Sequence, residues 1–205
     1  MLTLFHSPGS CSNGILYILN EIGAQHSVSV VNVLAGDQRT EAYLSLNPKG
    51  KVPALRLATG EVLTEFQTIA FWLARSFPQA GLWPDDILEQ ARTLEALDFI
   101  VGSVHMRGRT FIRMPHKFVD DPACHAALQA HGRQQVRNGL TQIEATLGNR
   151  PFLLGRFGIA DAAALYILDW AVRDEIELSE RLGEYRQRLH ARPAFAASAG
   201  NWGPI

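Results

Sequence analysis

The chain has 205 residues, of which 47% are hydrophobic and 19% are charged, and its formal net charge is −1. This composition is typical of a globular protein with one large domain or two modest ones, and it gives no indication of disorder. Because 19 basic side chains are balanced by 20 acidic ones, the composition argues against a general affinity for nucleic acid.

Short strand and helix patterns alternate over the first 76 residues. Strands are predicted at Leu2–Phe5, Ser27–Val33, Val52–Leu57 and Glu61–Leu63, and helices at Ile15–Ile22, Thr40–Leu46 and Phe66–Ala74. The last two strands form a predicted hairpin around a glycine-containing turn at 58–60. Such an alternation indicates an α/β layer with a partly parallel sheet.

Beyond this region only helical periodicity is present. The segment 77–86 contains two prolines, a glycine and a final acidic pair, which is typical of a linker that ends at a helix N-cap. Helices are predicted at Ile87–Ile112, which Pro115 should stop, at Ala123–Leu147, Ile159–Val172 and Arg181–Ala191, and as a last turn after Pro193. We therefore predict an α/β domain at 1–76, a linker at 77–86 and an all-helical domain at 87–205.

The cysteine content and the hydropathy of the chain indicate in which cellular compartment the protein resides. The two cysteines, Cys11 and Cys124, are too few for a disulfide scaffold, and no C-x-x-C pair suggests a metal site. The chain begins with no charged leader, and its most apolar segment, 159–172, is interrupted by Asp161 and Asp169. We expect a cytoplasmic protein with neither a membrane segment nor a bound metal.

Cys11 is the most informative residue. It lies between the first predicted strand and the first predicted helix, within Ser7-Pro8-Gly9-Ser10-Cys11-Ser12. Backbone N–H groups and the positive end of the helix dipole favour a thiolate at such a position. Free cysteine is also among the most buried residue types, so a small core residue is the alternative.

Four motifs follow one another in the chain: P-G-S-C-S at 8–12, N-P-K-G-K-V-P at 47–53, L-T-E at 63–65 and G-I-A-D-A at 158–162. Together they resemble the cytosolic glutathione transferase family, and the first motif with His105 is most similar to the bacterial beta class. The resemblance covers essentially the whole chain. It implies a thioredoxin-like N-terminal domain, a helical-bundle C-terminal domain, glutathione as co-substrate and a homodimer.

The resemblance assigns glutathione binding to Lys51, Val52, Pro53, Glu65, Phe66 and Gln67. A cis bond before Pro53 would turn the backbone of Val52 toward the bound peptide. The Glu65 carboxylate would meet the γ-glutamyl ammonium, while the first N–H groups of the next helix would meet the adjacent carboxylate. Lys51 would pair with the glycyl carboxylate. Phe66 stands where the family often has serine, so a side-chain hydroxyl is lost.

Catalysis is assigned by the resemblance to Cys11, Ser10 and His105. His6 occupies the position of a tyrosine that usually ends the first strand, and Cys11 is retained, so Cys11 is the first candidate for contact with the glutathione sulfur. Ser10 and Ser12 could supply a hydroxyl instead. His105 could hydrogen-bond Cys11 or the ligand sulfur, or be a structural residue.

An electrophile pocket is expected between the domains, with Phe111, Met114 and Trp170 in its wall, although core packing is the alternative for these side chains. A basic cluster either supplies positive charge to the site or is a solvated face; it comprises Arg107, Arg109, Arg113, His116 and Lys117. Asp161 is expected to cap a buried helix and to have no chemical role.

The sequence thus predicts a glutathione transferase that acts on a small electrophile, with no nucleic acid and no membrane as partner. Two alternatives stay open. The Cys11 thiolate could carry out glutathione-dependent thiol–disulfide exchange. The chain could also be a non-catalytic binding module of the same fold. Two departures from the family pattern favour this alternative: Phe66 replaces a common serine, and Met106 stands where a lysine is common.

Overall fold

The computed structural model describes residues 1–203, and these form two compact units. The first comprises residues 1–83 together with the C-terminal stretch 188–203, and the second comprises Pro84–Gln187. That C-terminal stretch was predicted to belong to the helical domain, whereas in the structure it packs within the first unit.

A four-stranded sheet forms the centre of the first unit. Its strands are β1 (Leu2–His6), β2 (His26–Val30), β3 (Ala54–Arg56) and β4 (Val62–Thr64), in the order β2-β1-β3-β4. β1 and β2 are parallel, while β3 is antiparallel to both β1 and β4. The predicted partly parallel sheet and the hairpin of its last two strands are therefore confirmed.

Three helices accompany the sheet: α1 (Ser12–Glu21), α2 (Glu41–Leu46) and α3 (Phe66–Ser76). The apolar stripes that predicted α1 and α3 are the buried faces of these helices, since Ile15, Leu19, Ile69 and Leu73 are fully buried. Leu4 of β1 is also fully buried, so the core lies where these faces meet the sheet.

The C-terminal helix α9 (Pro193–Trp202) has ten residues, whereas the sequence predicted only a turn. It packs against α1. The Asn20 side chain donates to the Ser198 hydroxyl at 2.8 Å, and Glu21 pairs with Arg192. The Trp202 ring is buried and lies edge-on to Tyr17, with 6.1 Å between ring centroids.

The second unit is helical. It contains α4 (Ile87–Asp98), a π-helical segment (Phe99–Arg109), α5 (Thr110–Arg113), α6 (His125–Leu147), α7 (Ile159–Arg173) and most of α8 (Glu180–His190). One regular helix over 87–112 was predicted, and the structure corrects this because the winding changes at Phe99. Gly102 and Gly108 favour the α-helix weakly and lie in the altered segment. The helical run ends before Pro115, as predicted.

α6 lies close to the π-helical segment at positions where α6 has glycines. A Cβ atom added to Gly139 would lie 2.5 Å from Cγ2 of Val104, and one added to Gly132 would lie 2.7 Å from the Gly108 carbonyl oxygen. No side chain fits at these distances, so these glycines set the separation of the two elements.

Asp161 caps α7, whose residues from Ile159 to Ala171 are all buried. Its carboxylate accepts the N–H groups of Gly158 at 2.8 Å and Leu153 at 2.9 Å, and the Tyr185 hydroxyl. Burial raises the pKa of Asp161 to about 6, against the opposing effect of these donors. Asp161 therefore has the predicted folding role.

None of the helices within residues 1–203 is both long and apolar enough to cross a membrane. In the same range no group of three or more His, Cys, Asp or Glu side chains is arranged to hold a metal ion. Cys11 and Cys124 both lie within the described residues, and neither forms a disulfide.

Candidate active site

The thiol loop, which we define as residues 7–11, connects β1 to α1 and ends on Cys11. Cys11 is half-buried and directly precedes α1, as predicted, and has helical backbone angles. Its Sγ atom lies 3.6 Å from the carbonyl oxygen of Val52, to which the thiol donates. The thiol therefore lies beside the segment that was predicted to bind a peptide.

The Val52–Pro53 peptide bond is cis, as the resemblance implied. The turn before it is held by the Lys51 carbonyl oxygen, which accepts the Tyr43 hydroxyl at 2.7 Å and the Asn47 amide at 2.8 Å. Because both donors are buried residues, the backbone of Val52 is presented in a fixed position.

Glu65 directly precedes α3 and has φ 70° and ψ 132°, which is unusual for a residue with a side chain. Its carboxylate lies 2.8 Å from the Lys49 ammonium, which also donates to Thr64 at 2.9 Å. Phe66 is 3% exposed, so its ring belongs to the core, and Phe66 and Gln67 contribute the first backbone N–H groups of α3. Glu65 is therefore the residue at the positive end of the α3 dipole, and its carboxylate pairs with Lys49.

Lys49 was not among the predicted site residues, and Lys51 was the predicted cation of this segment. The Lys51 side chain is exposed, and it is the Lys51 carbonyl that is held by the protein. Both lysines lie in N-P-K-G-K-V-P, and the motif gives no signal that Lys49 reaches back to Glu65.

His6 is fully buried at the end of β1 and connects the thiol loop to α9. Its Nε2 atom lies 2.7 Å from the Asn201 carbonyl oxygen, which can only accept, so Nε2 carries the proton. Burial lowers the pKa of His6 below its ordinary 6.5, against the opposing effect of its hydrogen bonds. His6 is therefore a neutral imidazole whose Nδ1 atom accepts a hydrogen bond.

This assignment fixes the direction of two hydroxyl groups. Ser12 Oγ is 2.7 Å from Nδ1 of His6 and donates to it. Ser12 Oγ in turn accepts the Ser7 N–H at 3.1 Å and the Ser10 hydroxyl at 2.7 Å. The Ser10 hydroxyl proton is thus engaged with Ser12.

His105 and Trp170, the predicted site residues of the π-helical segment and α7, lie together in the second unit. Their rings are edge-on, with centroids 4.8 Å apart. The Arg109 guanidinium is stacked 3.9 Å from the centroid of the Trp170 ring and donates to Asp174 at 2.9 Å. Burial lowers the pKa of Arg109 to about 10, against the attraction of Asp174.

Arg109 therefore departs from the rest of the basic cluster, because its side chain is only 13% exposed. Arg107, His116 and Lys117 are exposed, as a solvated face would be. The other two predicted pocket residues, Phe111 and Met114, are half-buried. The Phe111 ring lies edge-on to Phe118 at 4.5 Å and near His131 at 5.8 Å.

Comparison with known proteins identifies the family. The sequence profile of the glutathione S-transferase N-terminal domain matches residues 9–76, and that of the C-terminal domain matches residues 125–197. The chain belongs to the glutathione S-transferase family. The predicted family resemblance and fold class are confirmed.

Individual glutathione S-transferases are similar over nearly the full chain. The protein named glutathione S-transferase GstA from Escherichia coli O157:H7 is 32% identical over 197 residues, which are 94% of each chain. A sphingomonad glutathione S-transferase solved in complex with glutathione is 32% identical, with a TM-score of 0.81 and 97% of each chain covered. A beta-class enzyme from Sphingomonas chungbukensis is 28% identical, with a TM-score of 0.84, covering 99% of this chain and all of that one.

Within this glutathione S-transferase, the thiol loop is tied to a part of the chain outside the two matched ranges. His6 precedes the first range, and Asn201 follows the second. Their hydrogen bond spans 195 residues, so no local sequence pattern could have revealed it. The same holds for Asn13, whose side-chain amide donates to the Trp202 carbonyl at 2.8 Å.

Proposed function

We propose that the protein is a glutathione transferase that binds glutathione at the first unit and transfers its thiolate to a small electrophile. The observation that carries the proposal is the Cys11 thiol, 3.6 Å from the carbonyl of Val52 and next to a cis Val52–Pro53 bond, in a chain of this family. The complex of the sphingomonad relative with glutathione supports the same ligand here.

Each part of glutathione has a complementary group. The backbone of Val52 pairs with the cysteinyl residue as a neighbouring strand would. The γ-glutamyl ammonium meets the Glu65 carboxylate, and the adjacent carboxylate meets the N–H groups of Phe66 and Gln67 at the start of α3. Lys51 remains the proposed partner of the glycyl carboxylate, since its exposed ammonium is available to a ligand at the surface.

Transfer needs a glutathione thiolate at neutral pH. The thiol of glutathione loses its proton to solvent, and the Cys11 S–H donates a hydrogen bond that stabilises the resulting anion. The sulfur electron pair then forms a carbon–sulfur bond with the electrophile, and the leaving group departs with its own electron pair. Cys11 is favoured over Ser10 for this role because its thiol lies beside Val52, the proposed partner of the cysteinyl residue, and its long 3.6 Å bond to the Val52 carbonyl would be exchanged for one to the ligand sulfur, whereas Ser10 donates to Ser12 at 2.7 Å.

The second unit is proposed to supply the electrophile-binding residues. Phe111, Met114 and Trp170 are the candidates for its apolar wall, and His105, which contacts Trp170, is the candidate catalytic residue of this unit. The aromatic rings suit an apolar or aromatic electrophile.

We also propose that the protein is a cytoplasmic homodimer. Each unit exposes large apolar side chains: Phe71 is 42% exposed in the first unit, and Ile87, Leu88 and Leu94 are 76%, 63% and 42% exposed on α4 of the second. Such side chains are typical of surfaces that another chain covers.

Isothermal titration calorimetry with glutathione tests binding, and absence of binding at millimolar ligand would support a non-catalytic module instead. Chlorodinitrobenzene conjugation and reduction of a glutathione mixed disulfide are then measured for wild type and Cys11→Ala. If Cys11 stabilises the glutathione thiolate, conjugation falls by about 10- to 100-fold, because a hydrogen bond to a charged group contributes about 1.5–3 kcal/mol.

The opposite pattern, conjugation retained and disulfide reduction lost, would assign Cys11 to thiol–disulfide exchange. Cys11→Ser separates the roles further, since a hydroxyl donates a hydrogen bond but forms no mixed disulfide. Partial conjugation by Cys11→Ser is therefore the expected result.

A further inference from the structure

The C-terminal end of α9 is joined to the thiol loop, and to His6 and Asn13 on either side of it, by three hydrogen bonds. The Gly9 N–H and the Asn13 side-chain amide both donate to the Trp202 carbonyl oxygen at 2.8 Å. The His6 ring donates to the Asn201 carbonyl oxygen at 2.7 Å. His6 and Asn13 are buried, so water competes little for the ring and amide donors of these two residues.

The last carbonyl groups of a helix have no donor within the helix and carry the negative end of its dipole. Here donors from β1, the thiol loop and α1 satisfy two of them. The approach is also tight, because a Cβ added to Gly203 would lie 2.7 Å from the nitrogen of Gly9 and 2.9 Å from the carbonyl carbon of Pro8. The backbone of α9 thus fixes the backbone of the loop directly.

His6 extends this connection to both neighbours of the thiol. Its Nδ1 atom accepts the Ser12 hydroxyl, and Ser12 accepts the Ser10 hydroxyl, so the residues before and after Cys11 belong to one hydrogen-bonded chain that ends on α9. Asn13 also binds the thiol loop directly, since its Oδ1 atom accepts the Gly9 N–H at 3.2 Å.

We propose that the end of α9, residues 201–203, is a positioning element for Cys11, and that His6 and Asn13 are the positioning residues through which it acts. The element holds the thiol at the start of α1, where it meets the carbonyl of Val52. Only the conjugation readout rests on the proposed transferase function. A displacement of about 1 Å at a reacting group can reduce a rate by about 100-fold, so small movements of this loop have measurable effects.

Asn13→Ala tests the proposal, and Asn20→Ala is its matched control. Each removes one side-chain amide from α1 that donates to α9 at 2.8 Å, but Asn20 binds Ser198, away from the thiol loop. Both are made in a Cys124→Ser background, so that Cys11 is the only thiol that reacts with iodoacetamide. The measurements are the alkylation rate as a function of pH, the conjugation kcat and KM, and the unfolding midpoint in urea.

We expect Asn13→Ala to shift the pH midpoint of Cys11 alkylation and to lower the conjugation kcat by about 10- to 100-fold. Asn20→Ala should leave both unchanged while also lowering the unfolding midpoint, since it too removes a hydrogen bond between α1 and α9. If the two variants alter alkylation and kcat equally, or neither alters them, the proposal is wrong and α9 only stabilises the unit.

A second pair of variants keeps the test decisive if Asn13→Ala fails to fold. His6→Phe removes both ring hydrogen bonds, whereas His6→Gln retains an amide donor toward Asn201. We expect His6→Gln to restore the alkylation profile at least partly, and equal behaviour of the two variants would overturn the proposal. Alkylation needs no glutathione, so a shifted profile in a protein that never conjugates would sustain this inference while rejecting the transferase function.

Discussion

Glu65 shows at the scale of one residue how binding can oppose stability. Its positive φ costs about 1–3 kcal/mol for a residue with a side chain. Its ion pair with Lys49 joins side chains that are 51% and 52% exposed, and such pairs contribute about 1 kcal/mol or less. The ion pair therefore does not offset the strain, and the position of the carboxylate at the start of α3 is what this conformation provides.

Replacing Glu65 by glycine should stabilise the protein and weaken glutathione binding. Glycine adopts this φ without strain, so we expect a gain of about 1 kcal/mol in the free energy of unfolding after its greater unfolded-state entropy is subtracted. Glu65→Gln keeps the strain and loses only the charge, so it should weaken binding by about 10- to 100-fold without stabilising. Urea unfolding and calorimetry measure the two effects, and a Glu65→Gly protein less stable than wild type would contradict the strain argument.

His6 makes the stability of the first unit sensitive to acid. Burial holds its pKa below the unfolded value of 6.5, so the unfolded chain binds a proton more readily than the folded one. The contribution of the neutral ring is present above pH 6.5 and is lost as the pH falls through the folded pKa. We expect the free energy of unfolding to decrease over this window in wild type. The decrease should be smaller in His6→Gln, which has no titrating group at this position.

At the scale of elements, local sequence patterns were sufficient to predict a helix or strand wherever the buried residues follow the helical or strand period. The stripes of α1, α3 and α7 predicted those helices because the same residues are buried in the structure. α9 was missed because Pro193–Trp202 is rich in small residues and lacks a regular apolar stripe. The π-helical winding of Phe99–Arg109 was missed because such winding is rare, and Gly102 and Gly108 indicated only a weak helix there.

The contact between α6 and the π-helical segment should not tolerate a larger side chain at Gly139. Its added methyl group would lie 2.5 Å from Val104, so we expect Gly139→Ala to lower the free energy of unfolding by about 1–3 kcal/mol. Val104→Ala in the same chain should recover part of this loss. Gly183→Ala is the control: a Cβ there meets nothing within 4 Å in α8, and the substitution should stabilise by about 0.5–1 kcal/mol. Equal effects in denaturant unfolding would contradict the packing argument.

At the scale of the whole molecule, the sequence placed two candidate site residues at the starts of helices. Cys11 directly precedes α1 and Glu65 directly precedes α3, as the helix patterns predicted, while their assignment to a glutathione site came from the family resemblance and stays a prediction. The contacts that tie these parts down could not be predicted, because they join distant residues. His6 meets Asn201 across 195 positions, and Lys49 meets Glu65 across 16.

The two ends of the chain share one core, and Trp202 is the residue that tests this. Its ring is 1% exposed and packs edge-on against Phe195 at 5.0 Å and Tyr17 at 6.1 Å. We expect Trp202→Ala to lower the free energy of unfolding by about 3–5 kcal/mol, as for other buried aromatic side chains, and Trp202→Phe to lower it less. Trp83→Ala is the matched control, because Trp83 belongs to the same unit but is only half-buried. Urea unfolding followed by circular dichroism compares them, and a loss for Trp202→Ala no larger than that for Trp83→Ala would contradict the packing of the two chain ends in one core.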